Sequence, residues 1–456
     1  MLHNFTKGKS EIFNVSIAIS LALLISSWMV FSSSAPLLLR LMPLLALLII
    51  GLSISRPFVN IFIFFLILRP TVDVFDYLHK GFFSPNIMIG GIILILGYFA
   101  VLHFRNLGEV PIWKTLLVFM FITLIPTFLK SSNFINSLYI WFRTLTFIPI
   151  FLIAYYLVKY RQLSFKAMNI ALILSSLLPA IVAGIQYVFG MGKIDPYLGI
   201  ARPFGTFVHA NTLGLYITFS QILIISLIVG KFIEKDTKGI NWILALFIFN
   251  IFVIYITKAR VSWITFVTCM FFFLFITYKS FTKRIILIGL FILIISCLYL
   301  LFPTIQSRFS EIFTGKIASN YAINSVAWRI KQWEEVYLLF KQSPVIGNGL
   351  GIDVYTTRFY SHNDYIGILA SIGIIGFVVY CYIYFSLIRY FRKFKTEFPI
   401  ISAVVIVLIL AVALSSLTDN IFRMTPIQWF FWAYVGSAIG YIKSKPISCI
   451  KKHKME

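Results

Sequence analysis

Five residues pair reactive or anion-gripping side chains with positions at the edges of apolar runs. They are Arg202 and His209 in RPFGTFVHANTLG, Arg260 in TKARVSW, Arg329 in WRIKQWEEVYLLF and His362 in YSHNDY. Arginine offers a planar fork of N–H donors that grips phosphate oxygens in pairs. Several arginines on one side of a protein therefore point to an anionic, phosphorylated ligand. An arginine at a membrane edge can also simply extend its head into water. Arg260 is harder to explain that way, because it lies between two apolar runs on the side where positive charge is disfavoured. Ionisable groups in such places pair or bind something. His362 closes the longest polar segment and opens the next apolar run, which makes it the candidate general base by position.

Other motifs carry less. GNGLG at 347–351 follows no strand and lacks the Walker lysine, so it is not read as a phosphate loop. Asp73 and Asp76 in RPTVDVFDYLHK form either a divalent-cation pair or a solvated turn. His209 and His362 show no ligand spacing, and no metal site or cofactor is expected. Asp419 and Arg423, four apart, are expected to pair with each other. Cys269, Cys297, Cys381 and Cys449 form no spaced pair. No G-x-S-x-G is present.

The elements that position these residues must be membrane helices. Of 456 residues, 60% are hydrophobic, 18% aromatic and 12% charged. A soluble domain carries about 25% charge, so a soluble globule is excluded, and 48 phenylalanines exclude disorder. The expected fold is all-α: a polytopic transmembrane helical bundle of about 12–14 spans, with one long external loop containing an amphipathic helix. Spans are expected near 14–33, 35–54, 57–69, 86–103, 111–129, 138–158, 168–190, 211–230, 240–257, 260–278, 284–302, 363–388, 398–417 and 423–442.

The net charge of +24 is read as basic loops on a membrane protein, and no nucleic acid is expected. With the N-terminus inside, Lys and Arg in short segments divide 23 inside to 8 outside, which predicts both termini cytoplasmic in the cell's inner (plasma) membrane. The organisation expected is N-terminal helices over 1–200, core helices with the arginine motifs over 201–302, an external catalytic loop over 303–362, and C-terminal helices with a basic tail over 363–456. Within the loop, 328–340 places Trp333, Val336, Tyr337 and Phe340 at helical spacing, an amphipathic helix suited to the outer interface. Gly367, Gly373 and Gly376 suit close helix packing.

The ordered set of motifs resembles the O-antigen ligase and polymerase superfamily. RPFGTFVHAN at 202–211 is similar to its R-x-x-G-T-F…N segment. TKAR at 257–260 is similar to its T-x-S-R, with Ala259 where Ser is usual. RIKQWEE followed by SPVIGNGLG resembles R…W…P-x-x-G-x-G, and SHNDY at 361–365 resembles its H-N motif. The resemblance covers about 200–380. It implies glycan transfer at the outer membrane face from an oligosaccharide on a polyprenyl diphosphate, usually undecaprenyl, to a sugar hydroxyl of a glycan acceptor. It makes His362 the base and Arg202, Arg260 and Arg329 the diphosphate ligands, without metal or nucleotide sugar. Expected partners are that lipid-linked donor, the acceptor, the lipid bilayer and other polysaccharide export proteins.

Polymerase and ligase share donor grip and base. The outer segments hold 14 Lys and Arg against 9 acids, which favours a polymerase holding two anionic chains. A ligase, a transporter of lipid-linked glycans and a membrane scaffold are the rivals. A transporter would more typically show repeated halves with broken helices, and no internal repeat is found.

Overall fold

The computed structural model describes residues 57–73, 85–104, 107–195, 199–235, 238–278, 280–301, 303, 306 and 325–445. The expected spans 14–33 and 35–54, most of 303–324, Asp76 and the basic tail beyond 445 lie outside them. Among the described residues the structure is helical, with one two-residue strand pair.

The first helices are α1 (Pro57–Val72), α2 (Pro85–Phe104), α3 (Trp113–Leu129), α4 (Phe134–Leu145), α5 (Phe147–Lys159), α6 (Phe165–Leu174) and α7 (Leu177–Val188). The hairpin of β1 (Lys193–Ile194) and β2 (Ala201–Arg202) pairs Lys193 with Arg202. There follow α8 (Ala210–Glu234), α9 (Ile240–Ile256), α10 (Arg260–Thr277) and α11 (Phe281–Leu301). The C-terminal part holds α12 (Ser325–Gln342), α13 (Ile352–Thr357), α14 (Asp364–Lys393), α15 (Pro399–Ser415) and α16 (Thr425–Lys443). Every expected span from 57–69 onward coincides with one of these helices or with a broken pair. Among the described residues, five stretches, 134–159, 165–188, 210–234, 260–277 and 364–393, are long and apolar enough to cross a bilayer. The chain is an integral membrane protein.

The two spans split into separate helices have local causes. Between α6 and α7, Ser175 and Ser176 donate their hydroxyls back to the Leu172 and Ile173 carbonyls, each at 2.6 Å. Such back-bonding competes with the helical ladder. Between α4 and α5, Thr146 bonds back to the Arg143 carbonyl at 2.8 Å, and Pro149 lacks an N–H.

The apolar centre is built on α5 and α16. Gly436 and Gly440, four residues apart, lay the α16 backbone on α5. A Cβ at Gly436 would strike the Phe151 carbonyl oxygen, and one at Gly440 the Tyr155 carbonyl oxygen. Phe147 stacks on Trp432 at 4.8 Å beside this contact.

Helix α14 is broken at Gly373, whose φ of 64° is open to glycine and strained for other residues. A break inside a span frees backbone groups that lipid cannot satisfy. The loop before α13 satisfies them: Ile374 N donates to Pro344 O at 2.9 Å, Gly349 N to Ser371 O at 2.9 Å, and Asn348 N to Ala370 O at 3.1 Å. The glycines of GNGLG therefore serve a backbone docking, and Gly373 serves a kink rather than the helix packing expected of it.

The amphipathic helix exists as α12, but it is rotated from expectation. Gln332, Val336 and Leu339 are buried, the last two against Ile352 and Ala370, while Tyr337 is 49% exposed. The small Ala370 on α14 admits the Val336–Leu339 row, so tertiary packing chose the face.

Candidate functional site

Arg202 and Asn211, Asp419 and His362 come from three distant segments and meet at one end of the bundle. The strand pair presents Arg202, and the turn after it is held by Gln186, whose Oε1 accepts from Phe204 N at 2.9 Å and Gly205 N at 2.8 Å. Gly205 has φ 59° and lies against the Pro179 carbonyl, 2.6 Å from where a Cβ would be. Thr206 ties the same turn to the Pro70 carbonyl of α1 at 2.7 Å. The G-T-F motif is thus a fixed corner that aims Arg202.

Arg202 is engaged on all three nitrogens. Nε donates to the Thr257 carbonyl, Nη1 to Asp195 Oδ2 and Nη2 to Asn211 Oδ1, each at 2.8 Å. This joins the R-P-F-G segment to the T-K-A-R segment. Lys258, with φ 52°, makes the sharp turn between α9 and α10, and Arg260 is the first residue of α10, three residues past the anchored carbonyl.

Asn211 passes the connection onward. Its Nδ2 donates to Asp419 Oδ2 at 3.1 Å. The other carboxylate oxygen of Asp419 stands 3.6 Å from His362 Nδ1, with the two side chains 4% and 28% exposed. Burial raises the Asp419 carboxyl, but His362, Arg329 and Asn211 outweigh it and hold the group below its usual value. Arg329 on α12 thereby enters the same electrostatic field. His209 precedes α8 and keeps a solvent-facing edge. Burial of its ring first, then Lys193, push its imidazole down, and it also feels Asp419, His362 and Arg202.

His362 sits in an uncommon conformation, φ 48°. A non-glycine residue is held there only when its surroundings over-determine it. They do. His362 N donates to Asn420 Oδ1 at 2.8 Å, and Asn420 Nδ2 donates to Ser361 Oγ at 2.8 Å. Asn363 caps α14 through Ile366 N at 3.2 Å and donates to the Leu417 carbonyl at 3.2 Å. Asp364 Oδ2 accepts from Ser416 Oγ at 2.8 Å and Phe422 N at 2.9 Å. Asp353, fully buried, accepts from Ser361 N at 3.1 Å and pairs with Arg423 at 2.7 Å.

Two sequence expectations are corrected here. Asp419 and Arg423 do not pair with each other. A 3₁₀ turn at Ile421–Arg423 breaks the helical spacing, so Asp419 turns to Asn211 and His362 while Arg423 turns to Asp353. Asp73 is no solvated residue: it is buried and pairs with Arg69 at 2.7 Å. The sequence reading also passed over Asn211 and Asp419 as site members. The available signals were the final N of the G-T-F…N segment and an acid beside Asn420 in a short turn between spans.

Residues 245–381 match the family model described as O-Antigen ligase. That domain match covers under a third of the chain and supports the O-antigen ligase and polymerase superfamily. This family comprises membrane glycan transferases of the O-antigen ligase type. The domain contains Arg260, Arg329 and His362, whereas Arg202, Asn211 and Asp419 reach it from outside through the folded bundle. Among curated proteins, none matches the chain.

Proposed function

We propose that this protein is a membrane glycan polymerase. It transfers an oligosaccharide from a polyprenyl-diphosphate donor to a sugar hydroxyl at the outer face of the cell membrane. The observation that supports this best is the connection from Arg202 through Asn211 and Asp419 to His362. Asp419 Oδ1 faces His362 Nδ1 from 3.6 Å, an ion-pair distance once the ring carries the proton, and Nε2 is assigned to take the acceptor proton. The acceptor oxygen forms a bond to the anomeric carbon, the carbon–oxygen bond to the diphosphate breaks, and the proton passes to His362. A diphosphate leaves readily once arginine holds its charge, so one base suffices and no strong acid is needed. This differs from glycosidase chemistry, which generally uses two carboxylates.

Arg260 and Arg329 are assigned to the donor diphosphate. Arg202, which donates from Nε, Nη1 and Nη2 to Thr257, Asp195 and Asn211, acts first as the strut that fixes Asn211 and the start of α10, and is assigned to the same donor grip. Arg260→Lys keeps the charge and loses the fork, so it should raise the donor KM. An unchanged donor KM would remove Arg260 from the donor grip.

A ligase is the second reading, favoured by the description of the matched family as O-Antigen ligase. The excess of positive charge on the expected outer segments favours the polymerase. Purified protein given only the lipid-diphosphate repeat unit separates them. A ladder of lengthened lipid-linked products supports polymerase; product only after a separate acceptor is added makes it a ligase. A changed sidedness of the lipid with no new glycosidic bond makes it a transporter.

A further inference from the structure

We propose that Trp328, Phe359 and Tyr360 form the subsite for the acceptor sugar, stacking a pyranose ring on their aromatic faces so that its hydroxyl reaches His362. The proposal rests on the glycan-transfer reading above and adds what that reading lacks, a place for the neutral part of the acceptor.

Two of the rings are continuous with the base, and Tyr360 is the next residue along the same turn. Trp328 meets His362 edge to face, with centroids 5.4 Å apart, and meets Phe359 in the same manner at 5.5 Å. Phe359 is 51% exposed and Tyr360 is 42% exposed. They belong to a short polar turn between α13 and His362, so they are not part of an apolar span. Flat aromatic faces with a few polar groups beside them are the lining that ligand sites use.

The turn that carries them is fixed. Arg358 is in the left-handed region, φ 64°. Thr357 Oγ1 donates to Asp353 O at 2.8 Å or to Phe359 O at 3.0 Å, and accepts from Phe359 N at 3.4 Å. Tyr360 lies against the Arg423 guanidinium, 5.9 Å from its ring centre, and Arg423 is held in turn by Asp353. The platform is therefore pre-organised, which lowers the entropy lost on binding.

Chemistry selects the occupant. The π face is electron-rich. It repels a diphosphate and attracts the weakly positive C–H face of a pyranose. A lipid chain would also favour apolar rings, but here the neighbours that reach the surface are Thr357, Arg358 and His362. That mixture of flat apolar faces and hydrogen-bonding groups fits a sugar better than an acyl chain.

The test uses the full-length protein in nanodiscs. The lipid-diphosphate repeat unit is the donor, and a soluble oligosaccharide cut from the source cell's own surface glycan is the acceptor. Phe359→Leu with Tyr360→Leu keeps apolar bulk and removes the π faces. The double variant should raise the acceptor KM about tenfold, the value of one to two ring contacts, with the donor KM unchanged. Phe359→Trp with Tyr360→Phe should restore it. A wild-type acceptor KM in the leucine variant, or an equal rise in both KM values, would overturn the platform and leave the transferase reading standing. Saturation-transfer NMR with the same oligosaccharide gives a readout independent of turnover. Ring C–H signals saturated by wild type and lost in the leucine variant support the subsite even if no glycosidic bond is formed. No saturation by wild type overturns it.

Discussion

The contact between α5 and α16 and the loop cluster around His362 solve opposite problems. The first is dry and close: Gly436 and Gly440 remove side chains so that two backbones touch, and Phe147, Phe151 and Trp432 fill the rim. The second is crowded with polar groups that have no business near lipid unless each is satisfied. Residues 361–364 and 416–423 satisfy one another through Asn420, Asn363, Asp364 and Ser416. The difference teaches a division of labour. Close backbone packing holds the helices at a set distance, since lipid offers no hydrophobic drive between them, and Trp429 Nε1 adds one bond to Thr146 Oγ1 at the start of α5, at 2.8 Å. Hydrogen bonds with directional demands then hold one imidazole in a conformation the chain would not choose alone.

The comparison breaks most severely at the glycine seam. Gly436→Leu places a side chain where the Phe151 carbonyl stands, and overpacking of this kind has no low-energy escape. Detergent-stable, monodisperse protein should be lost, as size-exclusion chromatography of a fluorescent fusion would show. Normal yield would mean that α16 shifts freely and that the seam is no fixed point.

His362→Ala attacks the other region through chemistry alone. The rate of glycan transfer should fall about 10²–10⁴-fold, the range for loss of a general base. Yield and Tm should be held, because the φ strain at residue 362 depends on backbone and Asn420 contacts rather than on the ring. Near-wild-type turnover would take His362 out of the mechanism.

Asp353→Ala leaves Arg423 buried without its partner. Loss of one member of a buried pair costs about 3–5 kcal/mol, so Tm should drop while the donor KM of the surviving folded fraction stays near wild type. An unchanged Tm would show that the outer cluster draws little from this pair.

Arg202→Lys should be intermediate, with turnover down about tenfold, since at least one charge-assisted hydrogen bond worth about 1.5–3 kcal/mol is lost. Both rate and thermal stability should fall together, because the same guanidinium holds Asp195, Asn211 and Thr257. A fall in rate with no fall in Tm would make it a ligand-binding residue only.

The smallest effect concerns pH. The Asp419 carboxyl is depressed in the folded state, so its contribution to stability is present above the unfolded carboxylate value and is lost as pH falls through the folded one. Stability of wild type should therefore decline in that acid window more steeply than that of Asp419→Asn. Parallel pH–Tm curves would remove the charge coupling of Asp419 to its neighbours.

Much of this protein was legible in its residues. Long apolar runs force helices, because a bilayer leaves no other way to satisfy a backbone, and so each described span falls where hydropathy places it. His362 and the three arginines could be singled out because charge is rare here and its position at a span end is conspicuous. The α12 helix was legible as a helix, but its buried face was not, since periodicity gives a stripe and only Ala370 decides which row fits. The Gly436–Gly440 seam was present as a G-x-x-x-G and went unread among many small residues.

What composition, periodicity and local motif determined by themselves was the class of molecule and the inventory of reactive groups. Which groups work together was decided only by the tertiary structure. Asp419 lies four residues from Arg423 and 57 from His362 along the chain, and local spacing favoured the nearer partner. A 3₁₀ turn reversed that choice by rotating the two side chains apart. Arg202 and Thr257, Asn211 and Asp419, and Asp353 and Arg423 are likewise joined across distant segments. Helix periodicity reaches about four residues along one face, whereas these pairings depend on how separate helix ends are brought together by packing, so no pattern within one segment encodes them.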